Sequence, residues 1–543
     1  MNIKKNDMFE LTIEDMSEDG AGIGRLDGYI WFVKDAVIGD RIEAGAMKMK
    51  KNYGFARLVR ILEPSPSRVE EQCPSARRCG GCQLQMLSYE EQLKFKERKV
   101  VNHLKRIGGL NEVPMEPIIG MEHPWRYRNK AQFPFGRDRD GRIIAGFYAG
   151  RTHCIIESED CLLGVEENKE ILARIKAVME EHHIAPYDEE AHTGVLRHAL
   201  IRKGFTTGEL MVCLVINKKK LPAAEAFVDA LKDIPGMLSI SYNINMEKTN
   251  VIMGNEVVNL YGPGYITDYI GNVKYQISPL SFYQVNPVQT ERLYGTALEY
   301  AGLEGNETVW DLYCGIGTIS LFLAQKAKQV YGVEIVPQAI DDARQNAGLN
   351  EMDNVQFFVG KAEEVLPREY EKHQVYADVI VVDPPRKGCD SVCLDTIVKM
   401  APKRVVYVSC DSSTLARDVK YLGERGYEVK RVRCCDMFPM SGHIETVCLL
   451  SKLNTKQHIE IALSMDELDL TDAEKKATYQ EIKDYVLEHS GLKVSSLYIA
   501  QVKQKCGIIE RENYNKPKSE DAKQPQCSPD KEKAIKEALQ YFG

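Results

Sequence analysis

The chain has 543 residues, with 71 Lys plus Arg against 79 Asp plus Glu and a formal net charge of −8. At ~150 residues per domain this length predicts three or four domains. The 15 cysteines are unevenly spread, no charged-then-apolar leader opens the sequence and no apolar run approaches ~20 residues, so we expect a cytoplasmic protein rather than a secreted disulfide scaffold or a membrane protein.

The first sixty residues alternate strand-like runs with turns. Five short runs, beginning with MFELTIEDM and ending with YGFARLVRIL, are broken by SEDG, DG and IGD. This spacing predicts a small β-barrel related to the OB-fold, which often binds oligonucleotides. Because Pro64 and Pro66 follow the last run, we place this domain at residues 1–62.

A basic region follows within this acidic protein. Residues 47–151 hold 21 Lys plus Arg against 11 Asp plus Glu, or +10, which leaves −18 for the rest of a chain of net charge −8. Two stretches in it, 47–60 and 124–142, interleave basic residues with aromatic ones: Tyr53, Phe55, Trp125, Tyr127, Phe133 and Phe135. Either stretch alone also fits a solvated basic surface over core aromatics. Two in succession favour RNA or another single-stranded partner.

Three cysteines lie close together in CPSARRCGGCQLQ: Cys73, Cys79 and Cys82. Two glycines between the last two free the backbone, so the sulfurs can converge on one metal. For a fourth ligand the sequence offers Cys154 and Cys161, of which Cys161 is favoured because it follows an acidic turn and precedes an apolar segment. Four thiolates suit either zinc or an iron–sulfur cluster. We assign this group to a mixed α/β middle domain at residues 63–286.

Residues 287–453 carry the clearest fold pattern. A buried strand, a glycine turn and an apolar helix start follow one another in TVWDLYCGIGTISLFLA, and later strands alternate with helices, which predicts a mostly parallel sheet with ligands at the carboxyl ends of its strands. The turn lacks the third glycine of a nicotinamide-binding motif. Glu334 at the end of the second strand and the run Asp383-Pro384-Pro385-Arg386 favour S-adenosylmethionine instead.

Two further residues suggest covalent chemistry at the same edge of the sheet. Cys410 ends a strand and precedes a helix that starts at Ser412, so we expect helix N–H groups to lower the pKa of its thiol. Glu445 opens the last strand across from it and is a candidate base.

Together these motifs, with SFYQVNP, VSCDSSTLARD and GHIET, resemble the RNA (uracil-5-)-methyltransferase family, in particular its 23S ribosomal RNA branch. The resemblance covers Met1 to about Leu453. It implies methylation of carbon 5 of a 23S ribosomal RNA uridine by a protein with three domains: a TRAM barrel, a middle domain with a [4Fe-4S] cluster and a Rossmann-like methyltransferase domain. We expect the protein to be a monomer. The roles it implies are cluster binding by Cys73, Cys79, Cys82 and Cys161, S-adenosylmethionine binding by Gln284, Tyr313, Glu334 and Asp383, nucleophilic attack by Cys410 and base catalysis by Glu445.

Other interpretations remain open. One is a tRNA uracil-5-methyltransferase, although that branch of the family typically lacks both the cluster and the TRAM domain. Another is a non-catalytic RNA-binding assembly factor, which would predict a damaged catalytic pair, whereas Cys410 and Glu445 are both present. A radical S-adenosylmethionine enzyme is disfavoured because Cys73 and Cys79 are too far apart, and a cytosine methyltransferase because Ser409, not proline, precedes Cys410. In residues 454–543 we predict a helical extension, with amphipathic helices at 471–491 and 494–507, a polar linker at 513–526 and a closing helix capped by Ser528. We assign it no role.

Overall fold

The computed structural model describes residues 3–150, 152–158, 160–373, 375–453, 479–490 and 529–542, with six further positions between the last two ranges. The chain forms two compact units, Met1–Asn454 and Thr455–Gly543. None of the helices in these described ranges is both long enough and apolar enough to cross a bilayer.

The first unit begins with a closed five-stranded barrel of order β1-β2-β3-β5-β4. Its strands are β1 (Met8–Met16), β2 (Gly22–Leu26), β3 (Tyr29–Lys34), β4 (Arg41–Met49) and β5 (Tyr53–Glu63). Alternate residues such as Leu11, Ile13, Trp31 and Val33 point inward and are at most 3% exposed. The predicted five-stranded barrel is therefore confirmed.

A long helix and a short strand follow the barrel: α1 (Tyr89–Arg106) and β6 (Met115–Ile119). The next segment builds a seven-stranded sheet of order β13-β12-β11-β10-β7-β8-β9. Its strands are β7 (Lys130–Arg137), β8 (Ile143–Tyr148), β9 (Ile155–Glu157), β10 (Leu196–Lys203), β11 (Leu210–Ile216), β12 (Met237–Ile244) and β13 (Glu256–Tyr261). Two helices, α2 (Glu167–Glu181) and α3 (Ala224–Leu231), pack on it. All seven residues of β11 are buried, as its unbroken apolar run requires.

A hairpin and an eight-stranded sheet complete the first unit. The hairpin consists of β14 (Ile266–Ile270) and β15 (Val273–Ile277). The sheet has the order β18-β17-β16-β19-β20-β22-β21-β6. Its remaining strands are β16 (Thr308–Leu312), β17 (Gln329–Glu334), β18 (Val355–Val359), β19 (Val379–Val382), β20 (Arg404–Ser409), β21 (Tyr427–Cys435) and β22 (Glu445–Lys452). Its helices are α4 (Pro287–Ala301), α5 (Thr318–Ala324), α6 (Pro337–Leu349), α7 (Ala362–His373), α8 (Ser391–Met400) and α9 (Ser412–Gly423). Strands β16 to β20 run parallel, as predicted, and β22 is antiparallel to both of its neighbours.

The predicted boundary at residue 286 does not separate the sheets. Strand β6, from the segment assigned to the middle domain, pairs in parallel with β21 and forms an edge of the large sheet. The β14–β15 hairpin shares its apolar core with α4 and α5. The segment 63–286 thus supplies parts of two layers, because pairing between residues more than 300 positions apart leaves no local pattern in the sequence.

The second unit contains two described helices, Tyr479–Ser490 and Pro529–Phe542. Their buried residues, Ile482, Val486 and Ile535, share one small apolar core. The predicted cap of the last helix, Ser528, and the polar linker at 513–526 lie outside the described residues, as do most of the predicted helix at 494–507.

Candidate active site and cysteine cluster

The glycine turn after β16 forms one wall of the site. Tyr313, Gly315 and Gly317 all have positive φ, of 71°, 54° and 81°. A Cβ at Gly317 would lie 3.0 Å from the Phe357 ring, so the turn has no room for a side chain there. The N–H of Gly315 donates to Glu334 Oε2 at 3.3 Å, which holds this carboxylate beside the turn at the carboxyl end of β17.

A buried tyrosine that was not predicted from the sequence, Tyr294, lies next to this turn. The hydroxyl of Tyr294, on α4, is 3.2 Å from Thr318 Oγ1. Burial and the carboxyl group of Asp383 raise the pKa of Tyr294, whereas hydrogen bonds with Thr318 and Gln284 oppose that shift. Tyr294 therefore connects Gln284, Asp383 and the glycine turn. Nothing in the sequence distinguishes it from the other apolar-face residues of α4.

Two carboxyl groups near this tyrosine have raised pKa values. Burial raises the pKa of Asp383 to about 7. Burial also raises the pKa of Asp311 to about 7, although the Ser320 hydroxyl donates to Asp311 Oδ2 at 2.5 Å. The other oxygen of Asp311 is buried without a hydrogen-bond partner among the described residues. Because burial penalises their negative charge, these acids suit a ligand that brings positive charge.

Cys410 and Glu445 lie together at the carboxyl edge of the sheet. Ser409 pairs with Thr446 between the antiparallel strands β20 and β22, so the residue after Ser409 faces the residue before Thr446. Glu445 is 4% exposed, and burial raises its pKa well above the usual range, helped by Asp383 and opposed by Arg386.

The expectation that the helix N terminus lowers the pKa of Cys410 is wrong for the free protein. Burial, followed by the carboxyl groups of Glu445 and Asp383, raises the pKa of Cys410 to about 12. Arg386 opposes the shift but does not cancel it. The N terminus of α9 is capped instead by Asp411, whose carboxylate accepts from the N–H of Ser413 at 2.9 Å. In this state the thiol is protonated at neutral pH.

The structure gathers the four favoured cysteines around one pocket of about 370 Å³: Cys73, Cys79, Cys82 and Cys161. Burial raises the pKa of Cys82 to about 12, and Cys161 and Cys79 add to this shift. Arg128, which also lines the pocket, acts in the opposite direction, and no carboxyl side chain in the described part of the chain lines it. Cys154 is exposed and lies outside this pocket.

Across those described positions, no set of three or more His, Cys, Asp or Glu side chains has the arrangement of a metal site. The donor set suits a metal–thiolate centre, with Arg128 as a cation beside it, but a bound cluster stays a prediction.

The two aromatic, basic stretches differ. On the barrel, the rings of Phe32, Tyr53 and Phe55 lie with centroids 5.7 Å apart, and Tyr53 and Phe55 are 38% and 41% exposed. In the second stretch the prediction of stacking rings is wrong for Phe133 and Phe135, because they belong to the core of the seven-stranded sheet, whereas Trp125 is partly buried. Tyr127 is 1% exposed.

Two family models match the chain. The model described as tRNA (Uracil-5-)-methyltransferase matches residues 88–453, and a TRAM domain model matches residues 4–59. A Halalkalibacterium halodurans protein described as an uncharacterized RNA methyltransferase is 52% identical over 453 residues, which cover 83% of this chain and 98% of the relative. A Listeria innocua protein with the same description is 51% identical over 450 residues, covering 83% and 98%.

A solved structure also resembles the chain. Pyrococcus abyssi tRNA (uracil-54, C5)-methyltransferase in complex with S-adenosyl-L-homocysteine superposes with a TM-score of 0.66 at 29% identity. The match covers 81% of this chain and 100% of that one.

Proposed function

The chain belongs to the tRNA (uracil-5-)-methyltransferase family, and on that premise we propose that it methylates carbon 5 of a uridine in 23S ribosomal RNA through a covalent bond to Cys410. It is an S-adenosylmethionine-dependent RNA methyltransferase with a TRAM domain. The observation that carries the proposed mechanism is the pairing of Ser409 with Thr446, which places Cys410 opposite Glu445 at the ligand edge of the sheet.

The chemistry requires a nucleophile and a base on one uracil ring. Carbon 5 of uracil is a poor nucleophile, so the Cys410 thiolate adds to carbon 6 and makes carbon 5 electron-rich. Carbon 5 then takes the methyl group, which the sulfonium of S-adenosylmethionine supplies. Glu445 removes the hydrogen from carbon 5 as a proton, and the electrons of that bond expel Cys410 and restore the double bond. A buried target base must be turned out of its stack to reach both residues.

Four residues are proposed to bind S-adenosylmethionine: Gln284, Tyr313, Glu334 and Asp383. Glu334 lies at the end of the second parallel strand, where a carboxylate can accept hydrogen bonds from ribose hydroxyls. The raised pKa values of Asp383 and Asp311 fit a sulfonium and an ammonium group, because positive charge nearby would restore the charge of these acids.

Cys73, Cys79, Cys82 and Cys161 are proposed to hold a [4Fe-4S] cluster. Four thiolates around such a centre carry net negative charge, and Arg128 supplies positive charge at the same pocket. The cluster takes no part in the chemical steps and would act as a structural and RNA-orienting element. A brown preparation with broad visible absorption would support iron over zinc. If Cys79→Ser left both folding and RNA affinity intact, this role would be wrong.

Ribosomal RNA is proposed as the substrate because a TRAM barrel joined to a four-cysteine pocket resembles the 23S branch of the family. Transfer RNA is the second candidate, since the Pyrococcus abyssi enzyme acts on uracil 54 of tRNA by its description. The match with that enzyme covers 81% of this chain, whereas residues 63–453 make up less than three quarters of it. The matched region therefore extends beyond the middle and methyltransferase segments. That the protein works as a monomer stays a prediction.

The decisive experiment is methylation with labelled S-adenosylmethionine. Purified protein is incubated separately with 23S ribosomal RNA and with unmodified tRNA, and the digested nucleosides are separated. Label in 5-methyluridine from ribosomal RNA alone supports the full proposal, and label from tRNA alone replaces the substrate but keeps the chemistry. Label in cytidine, or undiminished label with Cys410→Ala, contradicts the mechanism.

A further inference from the structure

One face of helix α1 is polar although it points into the protein. Gln92, Lys96, Lys99 and His103 are spaced four, three and four residues apart and therefore share one side of the helix. Gln92 and Lys96 are fully buried, and the side chains of Lys99 and His103 are 16% and 17% exposed. Buried polar groups are costly unless they are hydrogen-bonded, so the partners of this face indicate what it holds.

Its main partner is the segment that leads into Glu445. Residues 436–443 connect the end of β21 to the residue before β22. The Lys96 ammonium donates to Asp436 Oδ1 at 2.6 Å and to the carbonyl of Phe438 at 3.0 Å. Asp436 is also fully buried, and its other oxygen accepts from the Tyr89 hydroxyl at 2.9 Å. The helix thus fixes the first half of this segment with a buried ion pair.

The same face fixes the second half of the segment. Gln92 Oε1 accepts from the N–H of Met440 at 3.0 Å, and the Lys99 ammonium donates to the carbonyl of Gly442 at 3.4 Å. Met440 has a φ of 67°, an unusual conformation for a residue with a side chain. Its carbonyl accepts from the N–H groups of Gln83 and Leu84, at 2.9 and 3.0 Å, directly after the cysteine run. Every second residue from 436 to 442 is therefore hydrogen-bonded to a side chain of α1.

The C-terminal end of this face reaches the nucleophile's loop. His103 Nδ1 lies 2.8 Å from Ser412 Oγ, and Ser412 is the first residue of α9, two positions after Cys410. Its other ring nitrogen lies 2.9 Å from Glu18 of the barrel. One rigid helix face consequently contacts both chain segments that carry the proposed catalytic pair.

We propose that this face of α1 positions Glu445 against Cys410, with the buried Lys96–Asp436 pair as its central contact. The inference rests on the proposed function. Replacing a buried ion pair by apolar residues of similar volume often leaves stability unchanged or improves it, so stability alone does not explain the pair. The pair instead fixes the position of residues 436–443 on α1, because the Lys96 ammonium and the Asp436 carboxylate can be paired in only one arrangement of that segment.

The test removes both charges at once. Lys96→Met alone would leave the Asp436 carboxylate buried and unpaired, so the variant is Lys96→Met with Asp436→Leu. Displacing Glu445 by about 1 Å should slow proton removal and lower kcat by about tenfold to a hundredfold, with the KM for S-adenosylmethionine unchanged. Because that step follows bond formation at Cys410, denaturing gels should show more protein covalently attached to RNA than in the wild type. The control is Lys94→Met, which removes the ion pairs of the exposed Lys94 with Glu90 and Glu91 on the same helix and should change neither quantity.

Thermal denaturation separates positioning from stability. A double variant that melts near the wild-type temperature but accumulates covalent adduct supports the inference. A double variant whose kcat and amount of adduct, each per folded molecule, equal those of the wild type overturns it. If the double variant does not fold, Gln92→Leu, which removes the hydrogen bond to Met440 without burying a charge, provides the same readout. Glu445→Gln is measured alongside. If this variant fails to accumulate covalent adduct, the proposed mechanism is wrong. If it accumulates adduct but the α1 variants do not, only the positioning role is refuted.

Discussion

Glu445→Gln should make the Cys410 thiol more reactive in the free protein, although it blocks turnover. The carboxyl group of Glu445 is the largest cause after burial that raises the pKa of Cys410 to about 12. With an effective dielectric constant of ~20, one nearby charge is worth about 1.5–3 kcal/mol, or one to two pKa units. A lower pKa increases the thiolate fraction, but it also reduces the nucleophilicity of each thiolate, with a Brønsted coefficient of ~0.45. The net expectation is alkylation about three to ten times faster.

The assay is alkylation of Cys410 by iodoacetamide between pH 7 and pH 10, followed by mass spectrometry of the peptide. The exposed Cys154 provides an internal reference thiol. The difference between variant and wild type should widen toward high pH, where the wild-type Glu445 is ionised and opposes the thiolate. Glu428→Gln, which neutralises an exposed carboxylate on β21, is the matched control. Equal or slower alkylation of Glu445→Gln across the whole range would show that the two groups do not interact as the geometry implies.

Three further predictions follow from the buried groups and the barrel. The folded-state pKa of Asp311, about 7, lies above its ordinary value, so the free energy of unfolding should fall as the pH rises from ~4 through 7. In urea unfolding, Asp311→Asn should reduce this fall by on the order of 1–3 kcal/mol. Tyr294→Phe removes one hydrogen bond worth ~1 kcal/mol, so steady-state kinetics should show a KM for S-adenosylmethionine raised about fivefold and a KM for RNA unchanged. Phe55→Ala should weaken RNA binding about tenfold without lowering the melting temperature, whereas Phe133→Ala should cost about 3–5 kcal/mol of stability.

The barrel could be predicted strand by strand because its information is local. Residues alternate between core and surface along the strands, and glycine-containing turns separate the first four of them. The parallel sheet was predictable for the same reason, since each strand, turn and helix start lies within about twenty residues. The edge strand Met115–Ile119 was not, because it joins Tyr427–Cys435 across the intervening domain.

Two properties of the site depend on groups that are distant in sequence. The pKa of Cys410 is raised first by burial and then by Glu445 and Asp383, and neither carboxyl group lies within twenty residues of the thiol in sequence. Local context suggested only the neighbouring helix N terminus, whose effect is in the opposite direction. The prediction that Phe133 and Phe135 stack on RNA was wrong for a related reason. The exposure of a ring depends on which layer packs over its strand, and the spacing of basic and aromatic residues does not encode that layer.

Burial is the first cause of the raised pKa values of Cys410, Glu445 and Asp383, and a second cause bears on the order of events. The carboxyl groups of Glu445 and Asp383 raise the pKa of Cys410 further, Asp383 also raises that of Glu445, and Arg386 opposes both shifts. Addition to uracil requires the Cys410 thiolate, and the later proton removal requires the Glu445 carboxylate. A methyl donor with a sulfonium cation beside Asp383 would favour the charged form of all three groups. The same buried acids that keep the thiol protonated in the free protein would therefore restrict its reactivity to the complex that already holds the methyl group.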